Sequence, residues 1–266
     1  MRWIAEDALF GPDTVTARVV SESVLLVGGP RALLMQLAHP AVAAGVAEHS
    51  GFEGDPFGRL IRTLDAMTTI AFGTSEERDG TLGRLRRVHG SVRGTLADGE
   101  PYEASDPALL FWVHATLVDT VIEVERRYLG GLGGDERAQF YDESRDLARA
   151  FEIPEATIPS DLDAFHAYMG EQERTLHVSD AARTVARGIL HPRVPLVPPP
   201  LWEPLRLLTV DLLPRAFREG YGLSWDGRRK RLLRTCQTAS RAVLPRFPRA
   251  VRTLPTAARR ARAHAR

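Results

Sequence analysis

The feature that most constrains this chain is a repeated helix-opening signal with almost no strand signal set against it. Asp55-Pro56 and Asp106-Pro107 each join a capping carboxylate to a proline suited to the first helical position. Ser75 followed by Glu76 and Glu77 places acids in a first turn, and Asp13 offers a further cap. Alternating runs of β-branched and aromatic residues are hard to find, while Ala, Leu, Arg and Glu dominate. The expectation is an all-α fold, a single globular multi-helix domain. A length of 266 residues suffices for one large core, and an apolar content of 44% suffices to fill it.

Helices are expected over about 13–27, from 31 to a break or kink at Pro40, and for a further turn or two over 41–49. More follow over about 56–72, 75–99, 108–128, 135–151, 160–172, 177–190, 201–213 and 226–243. Gly28-Gly29-Pro30, residues 50–54 and Gly130 to Gly134 are expected loops. Six prolines between His191 and Pro204 predict an ordered, extended wrap. No internal repeat or interdomain linker is visible, so the chain divides into a helical domain over 1–244 and a basic tail over 245–266.

The overall net charge of +1 conceals an asymmetry. Between Arg228 and Arg266 there are 13 Lys or Arg and no Asp or Glu, which leaves the rest of the chain at a net −12. Such an end either docks on its own acidic body or meets an anionic partner. Pro245, Pro248 and Pro255 argue against a regular helix reading DNA, so no specific nucleic-acid partner is expected. Cys236 is the single cysteine, which excludes an intrachain disulfide and suits a cytoplasmic setting. The opening MRWIAEDALF has acids where a signal peptide needs an apolar core. The most apolar stretch, Val24 to Ala47, is interrupted by Pro30, Arg31, His39 and Pro40, which suits a buried helix pair better than a membrane span.

Four constellations carry possible chemistry. Arg86, His89 and Arg93 stand at i, i+3 and i+7, one face of the expected 75–99 helix. A histidine flanked by guanidinium groups suits axial ligation of haem iron with neutralised propionates; the alternative is an arginine surface stripe beside a core histidine. Arg59, Arg62 and Thr63 share another face, either steering an anion or oxygen species or pairing with Glu53, Asp55 or Asp65. Glu48 beside His49, with His39 upstream, is either acid–base equipment or ordinary capping. His114 and Thr116, inside the apolar LLFWVHATLVDT, either support a ligand or pack in the core. HExxH, CxxC, CxxCH, GxSxG and the Walker loop are all absent, so nothing supports a zinc hydrolase, an NTPase or a hydrolase triad.

The ordered series GGPRALLMQLAHPAVAAGV, DPFGRLIRTLDAMTTIAFG, RVHGSVRG and YEASDPALLFWVHATL resembles the DUF2236 family, that of the MpaB-type oxygenases and the latex-clearing rubber oxygenases. The resemblance runs from about residue 20 to 250. It implies an all-helical protein holding one non-covalent haem b, and iron-dependent cleavage of carbon–carbon double bonds with dioxygen. It further implies His89 as the proximal ligand with Arg86 and Arg93 beside it, and Arg59 and Thr63 on the distal helix. Arg62 stands where the rubber oxygenases have a lysine able to cap the iron, which an arginine does poorly. Glu48 is the nearest candidate for their catalytic glutamate. The expected function is therefore haem-dependent oxidation of a hydrophobic small molecule with dioxygen or peroxide. The rival is a non-catalytic helical protein that binds haem or lipid in the same cavity.

Overall fold

A computed structural model describes residues 4–49, 56–192 and 198–253; the side chains at 56–61, 199, 249 and 250 fall outside that description. In chain order the helices are α1 (Val15–Val20), α2 (Gly29–Leu37), α3 (Pro40–His49), α4 (Pro56–Phe72), α5 (Ser75–Ser91) and α6 (Pro107–Val124). They continue with α7 (Gly134–Ala150), α8 (Leu162–Thr175), α9 (Asp180–Leu190), α10 (Glu203–Leu212), α11 (Arg215–Gly220), α12 (Gly227–Val243) and α13 (Arg249–Arg252). A two-stranded antiparallel hairpin, β1 (Arg93–Thr95) with β2 (Pro101–Glu103), sits between α5 and α6. The fold is all-α, as the sequence predicts.

Local chemistry explains most boundaries. The Asp106 carboxylate accepts from the backbone N–H groups of Ala108 and Leu109 and opens α6 with Pro107 in its first turn. Thr74, one residue before the expected start, caps α5 in a reciprocal box with Glu77. Asp226, the first residue of the expected 226–243 helix, caps α12, whereas α1 is capped by Thr14 and not by Asp13. The expected 13–27 helix instead ends at Val20, where the Ser21 hydroxyl donates to the Arg18 carbonyl. Residues Ser23–Gly28 then run as a 3-10 segment straight into α2, so Gly28-Gly29-Pro30 is a helical junction and not a loop. The expected 75–99 helix stops at Ser91, because Val92 turns extended and hands the chain to β1. Gly99, at a φ of +93°, makes the hairpin turn. Part of the expected proline wrap, 193–197, lies outside the described residues; Pro199–Trp202 forms a 3-10 turn leading into α10. Helix α11 has no counterpart among the sequence expectations.

The core forms around α6. Phe111, Trp112, Ala115 and Val118 meet Leu34 and Met35 of α2, Phe140 and Tyr141 of α7, Phe165 and Met169 of α8, and Ala182 and Ala186 of α9. The α6 rod extends through a π-helical turn, Glu125–Leu129. Together these 23 residues form one helix long and apolar enough to cross a membrane, and half of that apolar stretch is buried against the rest of the chain.

One charged side chain is built into this core. Arg31 is 3% exposed, and each of its three nitrogens is paired. Nε donates to the Leu212 carbonyl (2.8 Å), Nη1 to Thr120 Oγ1 (2.6 Å) and Nη2 to Asp119 (2.5 Å), which joins α2, α6 and α10. Gly28 permits this approach, since a Cβ there would lie 2.6 Å from Thr120 Cγ2. The acid-free end also docks. Arg252 pairs with Glu22 at 2.8 Å, and Thr253 bridges to the Glu22 backbone. Arg31→Ala leaves Asp119 and a buried carbonyl unpaired, and is expected to destabilise the fold by about 3–5 kcal/mol in a denaturant titration.

Candidate active site

The packed α4–α5 pair carries Arg59, Arg62 and Thr63 on one helix and His89 on the other. The two-residue connection Gly73-Thr74 folds α5 back along α4, against which it packs. At 1.5 Å per residue, Arg59 on α4 and His89 on α5 both lie about 20 Å from that turn. On the same count Arg62 and Thr63 lie about 14–15 Å along α4 from the turn. Arg62 and Thr63 are exposed, and the Arg59 side chain lies outside the described residues.

His89 is half-buried in the last turn of α5, and burial holds its pKa below the ordinary imidazole value. A neutral ring keeps the lone pair that a metal bond needs. Arg86, one turn earlier, is exposed and ion-paired with Glu152. Arg93 departs from expectation. The helix ends before it, so it occupies exposed β1 and shares no helical face with Arg86 and His89. One neutral, partly desolvated imidazole with a guanidinium one turn away is a donor set that fits an axially ligated haem, supplying one ligand and one propionate-sized counter-charge.

The hairpin closes the same end. Glu48, at the end of α3, accepts a 2.8 Å hydrogen bond from the hydroxyl of Tyr102 on β2. Tyr102 is 4% exposed, and burial with the neighbouring carboxylate pushes its phenol up to about 12. Gly94 of β1 lies under this pair, where a Cβ would meet the Tyr102 hydroxyl at 2.8 Å and Glu48 Oε2 at 2.9 Å. His49 Nε2 lies 3.2 Å from the Arg93 carbonyl. His39 has a capping role, its Nδ1 accepting from the Ala41 N–H.

His114 and Thr116 sit deeper. Thr116 is fully buried and its hydroxyl donates to the Val113 carbonyl of its own helix. The His114 ring packs 5.9 Å from Phe111, itself 5.0 Å from Tyr168, and burial lowers its pKa to about 4. The surroundings given by the structure are aromatic and apolar, those of a core histidine.

The chain matches the model of the ER-bound oxygenase mpaB/B'/rubber oxygenase catalytic domain over residues 17–262. It belongs to that family. The MpaB/rubber oxygenase match spans both the helical body and most of the basic C-terminal end. Uncharacterised proteins of Mycobacterium bovis and of Mycobacterium tuberculosis are each 28% identical over 207 residues, covering 75% of this chain and 80% of theirs. No solved structure matches. Membership supports an oxygenase-type function with a small-molecule substrate and oxygen.

Sequence reasoning missed Tyr102, because a three-residue strand is too short to display alternation, and so missed what holds Glu48. It also missed a concavity of about 330 Å³ beside Arg31, lined in part by Asp119, Glu123, Arg127, His166 and Glu173. Burial and the Asp119 charge push the Glu173 carboxyl up there.

The His114 shift has a measurable consequence. Its folded pKa lies below its unfolded value, so the stabilisation is complete above about pH 6.5 and is lost as pH falls towards about 4. The expected loss is roughly 3 kcal/mol. His114→Phe should flatten that limb of stability against pH, read by denaturant midpoints across the range.

Proposed function

We propose that this chain is a haem b-dependent oxidoreductase, an oxygenase or peroxidase-like enzyme, acting on a hydrophobic small molecule. The observation that carries the proposal is His89, a half-buried imidazole kept neutral by burial, at the end of the helical pair that also bears Arg59, Arg62 and Thr63. When bound, haem supplies the iron at which dioxygen or peroxide is activated. His89 would hold the iron through its ring lone pair. Arg86 brings positive charge to the same face of α5, suited to a propionate in exchange for Glu152. Arg59, Arg62 and Thr63 of α4 would supply guanidinium and hydroxyl donors to a negatively charged oxygen species. Glu48, fixed by the Tyr102 hydroxyl, is the group placed to take up a proton.

The absorption spectrum of freshly purified protein tests this reading. The expected result is a haem b spectrum that His89→Ala largely removes, while far-ultraviolet circular dichroism stays helical. Retention of the full spectrum in His89→Ala would assign the ligand elsewhere. Bound haem without turnover of any oxidant would favour the non-catalytic binding protein.

Arg62 gives a second test. A lysine can lose its proton in a buried site and bind iron, whereas arginine stays protonated. The ferric protein should therefore be five-coordinate or carry water, and should bind cyanide or azide readily. Arg62→Met should weaken azide by about 1.5–3 kcal/mol, the range for a hydrogen bond to a charged group. Arg62→Lys should shift the ferric spectrum towards low spin at high pH. A wild-type ferric spectrum that is already low-spin would sink the open-site mechanism.

A further inference from the structure

The apolar surface that this chain leaves in solvent is concentrated in one segment. Six large apolar side chains are exposed among the described residues, and four of them, Leu232, Val243, Phe247 and Val251, fall within residues 232–251. That clustering separates them from the scattered apolar exposure any surface carries. Helix α12 turns Leu233 inward, and Gln237 donates to Asp211. Beside that line Leu232, Cys236, Ala239 and Val243 recur at i, i+4, i+7 and i+11, one strip of the helix, and all four are exposed.

The same segment is rich in cations and contains no acid from Arg228 onward. Arg228, Lys230, Arg231 and Arg234 stand exposed in the first turns of α12, and none of them forms an ion pair among the described residues. Other cations of the segment turn back onto the chain: Arg229 to Asp226, Arg241 to the carbonyls of Arg126 and Arg127, and Arg252 to Glu22. Cations at a helix N-terminus oppose the macrodipole, so helix stability alone would favour acids there. The first turn of α12 contains none.

We propose that this face docks on an anionic lipid bilayer. Arg228, one turn before Leu232, and Arg231 beside it meet the headgroup phosphates, and the strip through Leu232 and Val243, with Phe247, enters the interface next to them. Charge selects an anionic surface. The apolar strip selects lipid over nucleic acid, because a phosphate backbone rewards the cations and offers nothing to leucine and valine.

Flotation of the full chain with phosphatidylcholine vesicles, and with equimolar phosphatidylcholine–phosphatidylglycerol vesicles, tests the proposal. Binding is expected to the mixed vesicles alone and to weaken with salt. At about 1 kcal/mol per charge near the surface, the double variant Arg228→Glu/Arg231→Glu should bind at least about tenfold more weakly. Leu232→Ser/Val243→Ser should also weaken binding several-fold. Both pairs are exposed, so melting temperatures should stay near that of the wild type. Absence of wild-type binding to the mixed vesicles overturns the proposal. Duplex DNA binding tighter than vesicle binding, and unaffected by Leu232→Ser/Val243→Ser, assigns the face to nucleic acid. A concentration-dependent dimer that this apolar variant abolishes, with no vesicle binding, assigns the strip to a second copy of the chain.

Discussion

A guanidinium in a protein core must find a partner for each of its nitrogens, and Arg31 makes that demand at the centre of this fold. Its contacts with the Leu212 carbonyl, Thr120 and Asp119 are satisfied only if α2, α6 and α10 meet in one register. The absence of a side chain at Gly28 lets the start of α2 lie against Thr120 and Val124 closely enough for this. Apolar packing around α6 supplies most of the driving force, but it tolerates small slips. The directional pairs around Arg31 do not.

The same device extends outward. Arg127 reaches Asp211 at 2.5 Å, and Gln237 of α12 donates to the same carboxylate. Arg241 donates to the carbonyls of Arg126 and Arg127 in the π-turn, and Arg252 pairs with Glu22. An arginine-rich C-terminal segment is thus held on the body by guanidinium contacts together with Leu233 and Leu244. That explains how α12 can be ordered while leaving Leu232 and Val243 in solvent.

The candidate active site lies away from this clamp, where α5 ends and the hairpin begins. His89 is in the last helical turn, and Tyr102 and Gly94 hold Glu48 beside the first residues of the hairpin. Burial shifts a titratable group on both sides of this region. It keeps the His89 imidazole unprotonated, and it keeps the Tyr102 phenol protonated as a hydrogen-bond donor.

The sequence alone determined the helical class, the Asp106 cap, the acid-free end and the motif series that marks the family, because these depend on local spacing and composition. It placed His89, Arg59, Arg62 and Thr63 on their helices for the same reason. Only the tertiary structure decided that Arg93 leaves the helix. Gly90, Val92 and Gly94 weaken helical continuation, and pairing with Pro101–Glu103 then captures the strand. Only the tertiary structure decided that Arg31, one charge in an apolar run, is buried, and that Glu48 has a phenolic partner 54 residues away. Those outcomes depend on which distant groups arrive to satisfy a desolvated polar atom, and local periodicity carries no information about that.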